Sequence, residues 1–319
     1  MSRKREDGPR IDGILVVAKP AGPTSHDIVA LVRRLTGVRR VGHGGTLDPF
    51  AMGVLPVFLG RATRMVEYHL ADEKRYRATV VFGARSTTDD LDGEMEPIEG
   101  SAPSREVVSA ALAGFRGPIE QVPPDHSAVH VDGKRAYELA RKGSKPELRS
   151  RLVTIHSLEL TSWDDTDTER PVAELEVRCS AGTYIRALAR DLGAAVDSGA
   201  YLGALTRTAS GPFAIEDAHP LDKVREELSH GRTEALLLPP DAGLDAIPQL
   251  QVPATDVAAI ARGQIVRLHA PLPSRDGTAR EDSDEPLVRL VDVEGKLAAM
   301  AVVRKGRIYP SKVFVSPEA

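Results

Sequence analysis

Apolar positions along the chain fall into two spacings, and the alternation between them sets out most of the elements. Gly13-Ile-Leu-Val-Val-Ala18 is a continuous apolar run of strand length, closed by the rigid turn Lys19-Pro20-Ala21-Gly22-Pro23. Ile28, Val29, Leu31, Val32 and Leu35 then recur at helical spacing, with Thr24 or Ser25 as the cap and Gly37 as the stop. Gly53–Gly60 is a second apolar run. Tyr76–Phe82, Leu152–Leu160 and Val172–Cys179 read as strands, the last two flanking a polar loop, Thr161–Pro171. A helix is predicted from Ser104 to about Phe115. Another covers Thr183–Val196, with Ile185, Leu188, Ala189 and Leu192 on one face. Strands and helices mixed in no strict order predict an α+β fold rather than a doubly wound sheet.

Near residue 240 the texture changes. Pro239-Pro240 follows a helix, and the remainder reads as short alternating segments. Leu287–Val293 and Ala298–Val303 flank a turn at Glu294-Gly295 and form a hairpin signal. Ser274–Glu285 is polar, charged and predicted to be a loop. The chain is thus divided into residues 1–240 and a small β-barrel over residues 241–319. Its 319 residues, 41% of them hydrophobic, suffice for two cores.

No apolar run is long enough to span a bilayer, and the charged start lacks a secretory signal, so a cytoplasmic protein without a membrane partner is expected. One cysteine, Cys179, excludes an internal disulfide and a thiolate metal site. Asp89-Asp90-Leu91-Asp92-Gly93 lacks the later glutamate of a calcium loop, so it reads as a solvated acidic turn. No metal is expected. The net charge of −4 argues against a nucleic-acid partner only until it is divided. The first 90 residues carry 15 Lys and Arg against 10 Asp and Glu, and the remaining 229 carry 27 against 36. Binding fields act locally, so the basic first part stays compatible with RNA.

Two segments carry candidate chemistry. In Gly42-His43-Gly44-Gly45-Thr46-Leu47-Asp48-Pro49 the glycines allow a close backbone approach, and Pro49 pushes Asp48 toward extended geometry. That suits a carboxylate presented at a cleft, although Asp-Pro also starts ordinary turns and His43 could serve a backbone carbonyl. In Gly182-Thr183-Tyr184-Ile185-Arg186, the first turn of a helix places an arginine where it can clamp a carboxylate or simply lie on the surface.

Together and in this order, these segments resemble the bacterial TruB family of tRNA pseudouridine synthases. The resemblance runs through Gly13–Pro20, the Asp48 loop with Gly53-Val54-Leu55-Pro56, Lys74-Arg75-Tyr76, Gly133–Arg141, Gly182–Arg186 and Leu202–Arg207. It implies isomerisation of the uridine at position 55 in the T-arm loop of tRNA, with the base flipped out of the loop. Asp48 is implied as the essential carboxylate, attacking C1′ or removing a C2′ proton, with Arg186 holding it ionised. Tyr76 would stack on the uracil and accept the C5 proton. Tyr184 and Leu205 would wall the pocket, and His43 would fill the gap left by the flipped base. Lys19, Lys134 and Arg151 are implied as phosphate or architectural contacts. The resemblance further implies a mixed, largely antiparallel sheet with flanking helices, a C-terminal barrel of the PUA type, no cofactor, and a monomer without an obligate protein partner. The chain departs from the family's usual residues at Gly44, Met52, Asp125, His126, His130 and His156; a lysine lost at His130 would weaken RNA contact or make it pH-sensitive. A non-catalytic protein that binds and refolds tRNA is the alternative function.

Overall fold

The computed structural model describes residues 9–98, 102–127, 148–269 and 285–316, with the backbone of His130–Val131 and Lys134–Arg135. The segment Gly133–Arg141 lies mostly outside the described residues, as does the predicted loop Ser274–Glu285 apart from Glu285. The architecture is α+β. Its first part is one mixed sheet built on β1 (Gly13–Lys19), β2 (Val41–His43), β3 (Met52–Leu59), β4 (Lys74–Phe82), β5 (Gly117–Gln121), β6 (Arg151–Asp164), β7 (Val172–Cys179) and β8 (Ala200–Ser210). The main order is β1-β3-β8-β4-β7-β6-β5; within it only β3 and β8 run parallel. Helices α1 (Ser25–Thr36), α2 (Arg105–Ala111), α3 (Ile185–Ala195) and α4 (Leu221–Ser229) accompany the sheet.

The local signals explain these elements. Thr24 caps α1 in a reciprocal box with Asp27, and Gly37 ends it in the left-handed region at φ 68°. Because Thr24 takes the cap, Ser25 is free to turn its hydroxyl elsewhere. β1 is apolar without alternation because both its faces are buried. Leu15 and Val17 join the main core, while Ile14 and Val16 enter a second cluster with Val54, Phe58, Met65 and Phe213. One expectation needs correcting. The predicted loop from Thr161 is strand as far as Asp164, because a bulge after Leu160 lets Trp163 pair with Ala173 and lie 5.8 Å from the Phe82 ring.

The C-terminal part is a five-stranded mixed sheet of β9 (Gln249–Gln251), β10 (Val266–Arg267), β11 (Leu287–Val291), β12 (Leu297–Arg304) and β13 (Arg307–Val313), with helix α5 (Ala254–Ala261). The β11–β12 hairpin turns at Asp292–Lys296, over the predicted Glu294-Gly295. Leu244, Leu297, Met300 and Phe314 enter the second cluster beneath β1 and β3. Arg61 and Arg64 donate to the carbonyls of Val315 and Val313, which adds polar links across that contact.

Gly53 decides how closely β3 and β8 approach. It has φ 107°, and a Cβ there would meet the Arg207 carbonyl oxygen, so only glycine fits. Gly53→Ala should therefore destabilise the protein by about 2–4 kcal/mol in denaturant unfolding. A cost under ~0.5 kcal/mol would show that the two strands are free to separate.

Candidate active site

The connection between β2 and β3 carries Asp48, and its backbone is pinned from three sides. Ser25 Oγ donates to Leu47 O (3.1 Å) and accepts the Leu47 N–H (2.9 Å). From the turn after β1, the Gly22 N–H reaches Pro49 O at 2.9 Å. Lys19 Nζ donates to the carbonyls of Pro20 (2.9 Å), Pro49 (3.1 Å) and Ala51 (2.8 Å). From β8, Arg207 donates through Nε to Val54 O (2.8 Å), Nη1 to Thr46 O (3.2 Å) and Nη2 to Gly45 O (3.0 Å). Lys19 and Arg207 are each 1% exposed. Buried cations are costly unless their donors are used, and here each is met by three carbonyls. Burial lowers the Lys19 pKa to about 8, with the nearby Asp48 charge acting against the shift. Of the two roles implied for Lys19, architecture takes all three of its N–H donors.

Arg186, the second residue of α3, faces that loop. Its Nη2 donates to Asp48 Oδ1 at 3.3 Å and to His126 O at 3.0 Å, and its Nη1 to Thr88 O at 3.2 Å. Nε lies 3.0 Å from Asp48 Oδ2, an ion-pair contact whose angle falls short of a hydrogen bond. Asp90 Oδ2 lies 3.2 Å from Nη1. The guanidinium is thus buried between two carboxylates, and the Asp48 side chain remains one-third exposed. Burial raises the pKa of Asp48, Arg186 acts against that rise, and the Asp90 charge adds to it.

The acidic turn is the clearest correction. Asp89-Asp90 was expected in solvent; instead Asp90 is buried against Arg186, and Asp89 pairs with Arg190 at 2.9 Å, one helical turn further along α3. Two adjacent carboxylates meet two arginines at i and i+4, a match that offsets the desolvation of both. Asp89 takes φ 62°, unusual outside glycine, to make it.

The remaining residues form the walls. In register, Tyr76 on β4 lies between Val177 and Arg207, and Leu205 lies beside Ala78, which puts Tyr76, Leu205 and Arg207 on one face. Leu205 and Tyr76 pack in the main core with Leu47. Burial raises the Tyr76 pKa, with Arg207 acting in the opposite direction, so the phenol keeps its proton. Tyr184 precedes α3; its N–H donates to Gln121 Oε1 (2.8 Å), and Gln121 Nε2 donates back to Tyr184 O (3.1 Å). The Arg151 guanidinium stacks over the Tyr184 ring at 5.3 Å, so these two form a pair at the rim. His43 Nδ1 accepts the Gly45 N–H, and the ring meets His26 edge-on at 5.3 Å. Lys134 lies on a two-residue strand paired with His130–Val131, and its side chain falls outside the described residues.

The structure therefore gathers Asp48, Arg186, Tyr76, Leu205 and His43, with Tyr184 and Arg151 alongside. Sequence reasoning missed Arg207, Asp90, Ser25 and Gln121. Arg207 had a usable signal, since it stands two residues after Leu205 and shares its inward face on a strand. Among the described residues no group of three or more His, Cys, Asp or Glu is placed to hold a metal ion, and Cys179 is buried with its pKa pushed up to about 11. No helix of the described residues is long and apolar enough to cross a membrane. A partly exposed carboxylate on a pinned loop, backed by a guanidinium and flanked by rings, suits attack or proton abstraction beside a flat heterocycle.

His43 supplies a test of this electrostatic picture. Burial, then His26 and Arg207, lower its pKa to about 4, which leaves the ring neutral at pH 7. Imidazole NMR should show a midpoint near 4 for His43, and a midpoint above 6 would contradict the assigned environment.

Comparisons with known proteins point one way. The model of the TruB family pseudouridylate synthase N-terminal domain matches residues 33–185. A protein from Bradyrhizobium diazoefficiens named tRNA pseudouridine synthase B is 42% identical over 316 residues, covering 97% of this chain and 88% of that relative. Its namesake from Symbiobacterium thermophilum is 48% identical over 261 residues, covering 82% and 85%. In fold, the chain is similar to a protein in the structure of an H/ACA RNP bound to a substrate RNA containing 2′-deoxyuridine. The TM-score is 0.70 at 24% identity, covering 96% of this chain and 86% of that one. With those relatives matched over most of their length, the chain belongs to the TruB family of pseudouridylate synthases.

Proposed function

We propose that this enzyme converts uridine 55 in the T-arm loop of tRNA to pseudouridine, with Asp48 as the essential carboxylate. The relatives' names supply the class of reaction and the tRNA substrate. The observation that carries the residue assignment is the Asp48–Arg186 pair, a carboxylate open on one side and held by a buried guanidinium on the other. The N1–C1′ bond of uridine breaks, the uracil turns while still bound, and C5 bonds to C1′ with loss of the C5 proton and gain of one at N1. Asp48 either attacks C1′ or takes the C2′ proton, and both routes need it ionised. Tyr76 stacks on the uracil. Because burial keeps its phenol protonated, accepting the C5 proton requires that its own proton pass to a neighbour or to water.

Tyr184 and Leu205 wall the base. His43, neutral in its buried setting, fills the vacated place in the T-loop stack as an uncharged ring, offsetting part of an unstacking cost of a few kcal/mol. Arg151 and Lys134 contact phosphates. Residues 1–240 act as the catalytic domain. Residues 241–319, whose five-stranded sheet and helix are compatible with a PUA-like fold, add RNA contacts. The enzyme works as a cytoplasmic monomer without cofactor or metal.

A protein that only refolds tRNA would share the binding and lack the turnover. Tritium release from tRNA labelled at uridine C5 separates them: wild type should release tritium, and absence of release sinks the enzymatic reading. Asp48→Asn should lower release by at least about 10³-fold with tRNA affinity nearly unchanged. Near-normal turnover would contradict its role. The pH profile tests Arg186. Activity depends on ionised Asp48 and is lost as pH falls through its raised pKa. Arg186→Gln removes the charge that opposes the rise, so the acid limb should move to higher pH and the rate at pH 7 fall by about 10²-fold. An unmoved limb would separate Arg186 from Asp48.

A further inference from the structure

Lys74 opens the Lys74-Arg75-Tyr76 segment on β4 and stands two residues before Tyr76, so both project from the same face of the sheet. The alternating burial along β4 agrees: Lys74 is 7% exposed, while Arg75 and Arg77 lie open on the other face. Its ammonium nitrogen is buried and has no hydrogen-bond partner. Lys19 and Arg207, the other buried cations of this face, have every charged arm on a carbonyl, so Lys74 stands apart. An ammonium has three donors and no acceptor, and leaving all three unmet inside a protein is costly. Such a cost persists where a ligand later supplies the acceptors.

The surroundings indicate which ligand. Lys74 is opposite Cys179 on β7 and Ser210 on β8. Asp72 before the strand, Arg207 on β8 and Cys179 on β7 are the charged and titratable groups that act on it, and Glu73 beside it is engaged by Arg75 and Arg178. Cys179 is followed by the turn that leads to Tyr184, in which the Thr183 hydroxyl donates to Ser180 O at 2.9 Å. Lys74 therefore sits between Tyr76 and the segment carrying Tyr184, the two rings assigned to the base.

We infer that Lys74 is a catalytic residue whose ammonium hydrogen-bonds a carbonyl oxygen of the flipped uracil and stabilises the anion formed when the glycosidic bond breaks. The inference rests on the pseudouridine synthase reading of the site. When N1–C1′ breaks, the bonding pair stays on N1 and the uracil becomes an anion with its charge spread over O2 and O4. C1′ bonds to an Asp48 oxygen, or Asp48 takes the C2′ proton and a glycal remains. C5 then bonds to C1′ as the C1′–Asp48 oxygen bond breaks, or as Asp48 returns its proton to C2′ of the glycal; loss of the C5 proton and protonation of N1 leave the base neutral. Lys74 keeps its proton throughout and acts by charge. A cation fixed before the reaction is effective because it is already desolvated. Burial lowers the Lys74 pKa to about 8, which keeps it charged at neutral pH.

Single-turnover tritium release, tRNA binding and thermal melting of wild type, Lys74→Met and Lys74→Gln test the assignment. The expected result is an about 10²-fold slower release by K74M and a smaller loss for K74Q, each with affinity within about threefold of wild type. The melting temperature of K74M should equal or exceed that of wild type, because an unpaired buried charge has been removed. Release within about threefold of wild type by K74M overturns the inference. So does a lower melting temperature in both variants, which would give Lys74 a structural role. Weakened binding with a reduced salt dependence would make it a phosphate contact and equally overturn it. An inactive wild type would remove the synthase reading and this inference together.

Discussion

One guanidinium holds the site together. Arg186 reaches the Asp48 loop, the Thr88–Asp90 turn and the segment at His126 from the start of α3, so four stretches far apart in sequence meet on one planar cation. Its planar fork can serve several acceptors at once, which a lysine at the same place could not match. Arg186 opposes the rise in the Asp48 pKa that burial and the Asp90 charge produce, while Asp90 stays buried behind it. The arrangement fixes the Asp48 carboxylate from behind and leaves about a third of it exposed.

The second constraint is the use of buried cations on backbone carbonyls. Lys19 and Arg207 make six such hydrogen bonds, four of them to the Asp48 loop, and glycine at position 53 lets β3 come close enough to β8 for Arg207 to reach. This changes the meaning of the basic excess in the first 90 residues. Lys19 and Lys74 are buried and Arg61 is tied to Asp12, so part of that charge shapes the site rather than the surface. Arg34, Arg40, Arg75 and Arg77 remain exposed and available to a polyanion.

Elements governed by local chemistry were legible in the chain. The Thr24 cap, the Gly37 stop, the β11–β12 hairpin and the Val172–Cys179 strand depend on neighbours within a few residues, and periodicity reports those directly. Asp48 and Arg186 were reachable because each stands in a distinctive motif. What stayed hidden depends on distant partners. Asp89 and Asp90 look like any acids in a polar turn until α3 places Arg190 against the first and Arg186 against the second, 101 and 96 residues away. Likewise Gln121 gives no sign in sequence of holding both backbone groups of Tyr184, and the boundary near residue 240 conceals a cluster shared by β1, β3 and β12.

The central claim is that Asp48, poised by Arg186, forms pseudouridine at one tRNA position. The most direct measurement maps pseudouridine in tRNA from cells without this protein, and again after wild type or Asp48→Asn is restored. The account predicts that the modification at position 55 disappears, returns with wild type and stays absent with the variant. Pseudouridine at position 55 in the cells lacking the protein, or its return with Asp48→Asn, would contradict it.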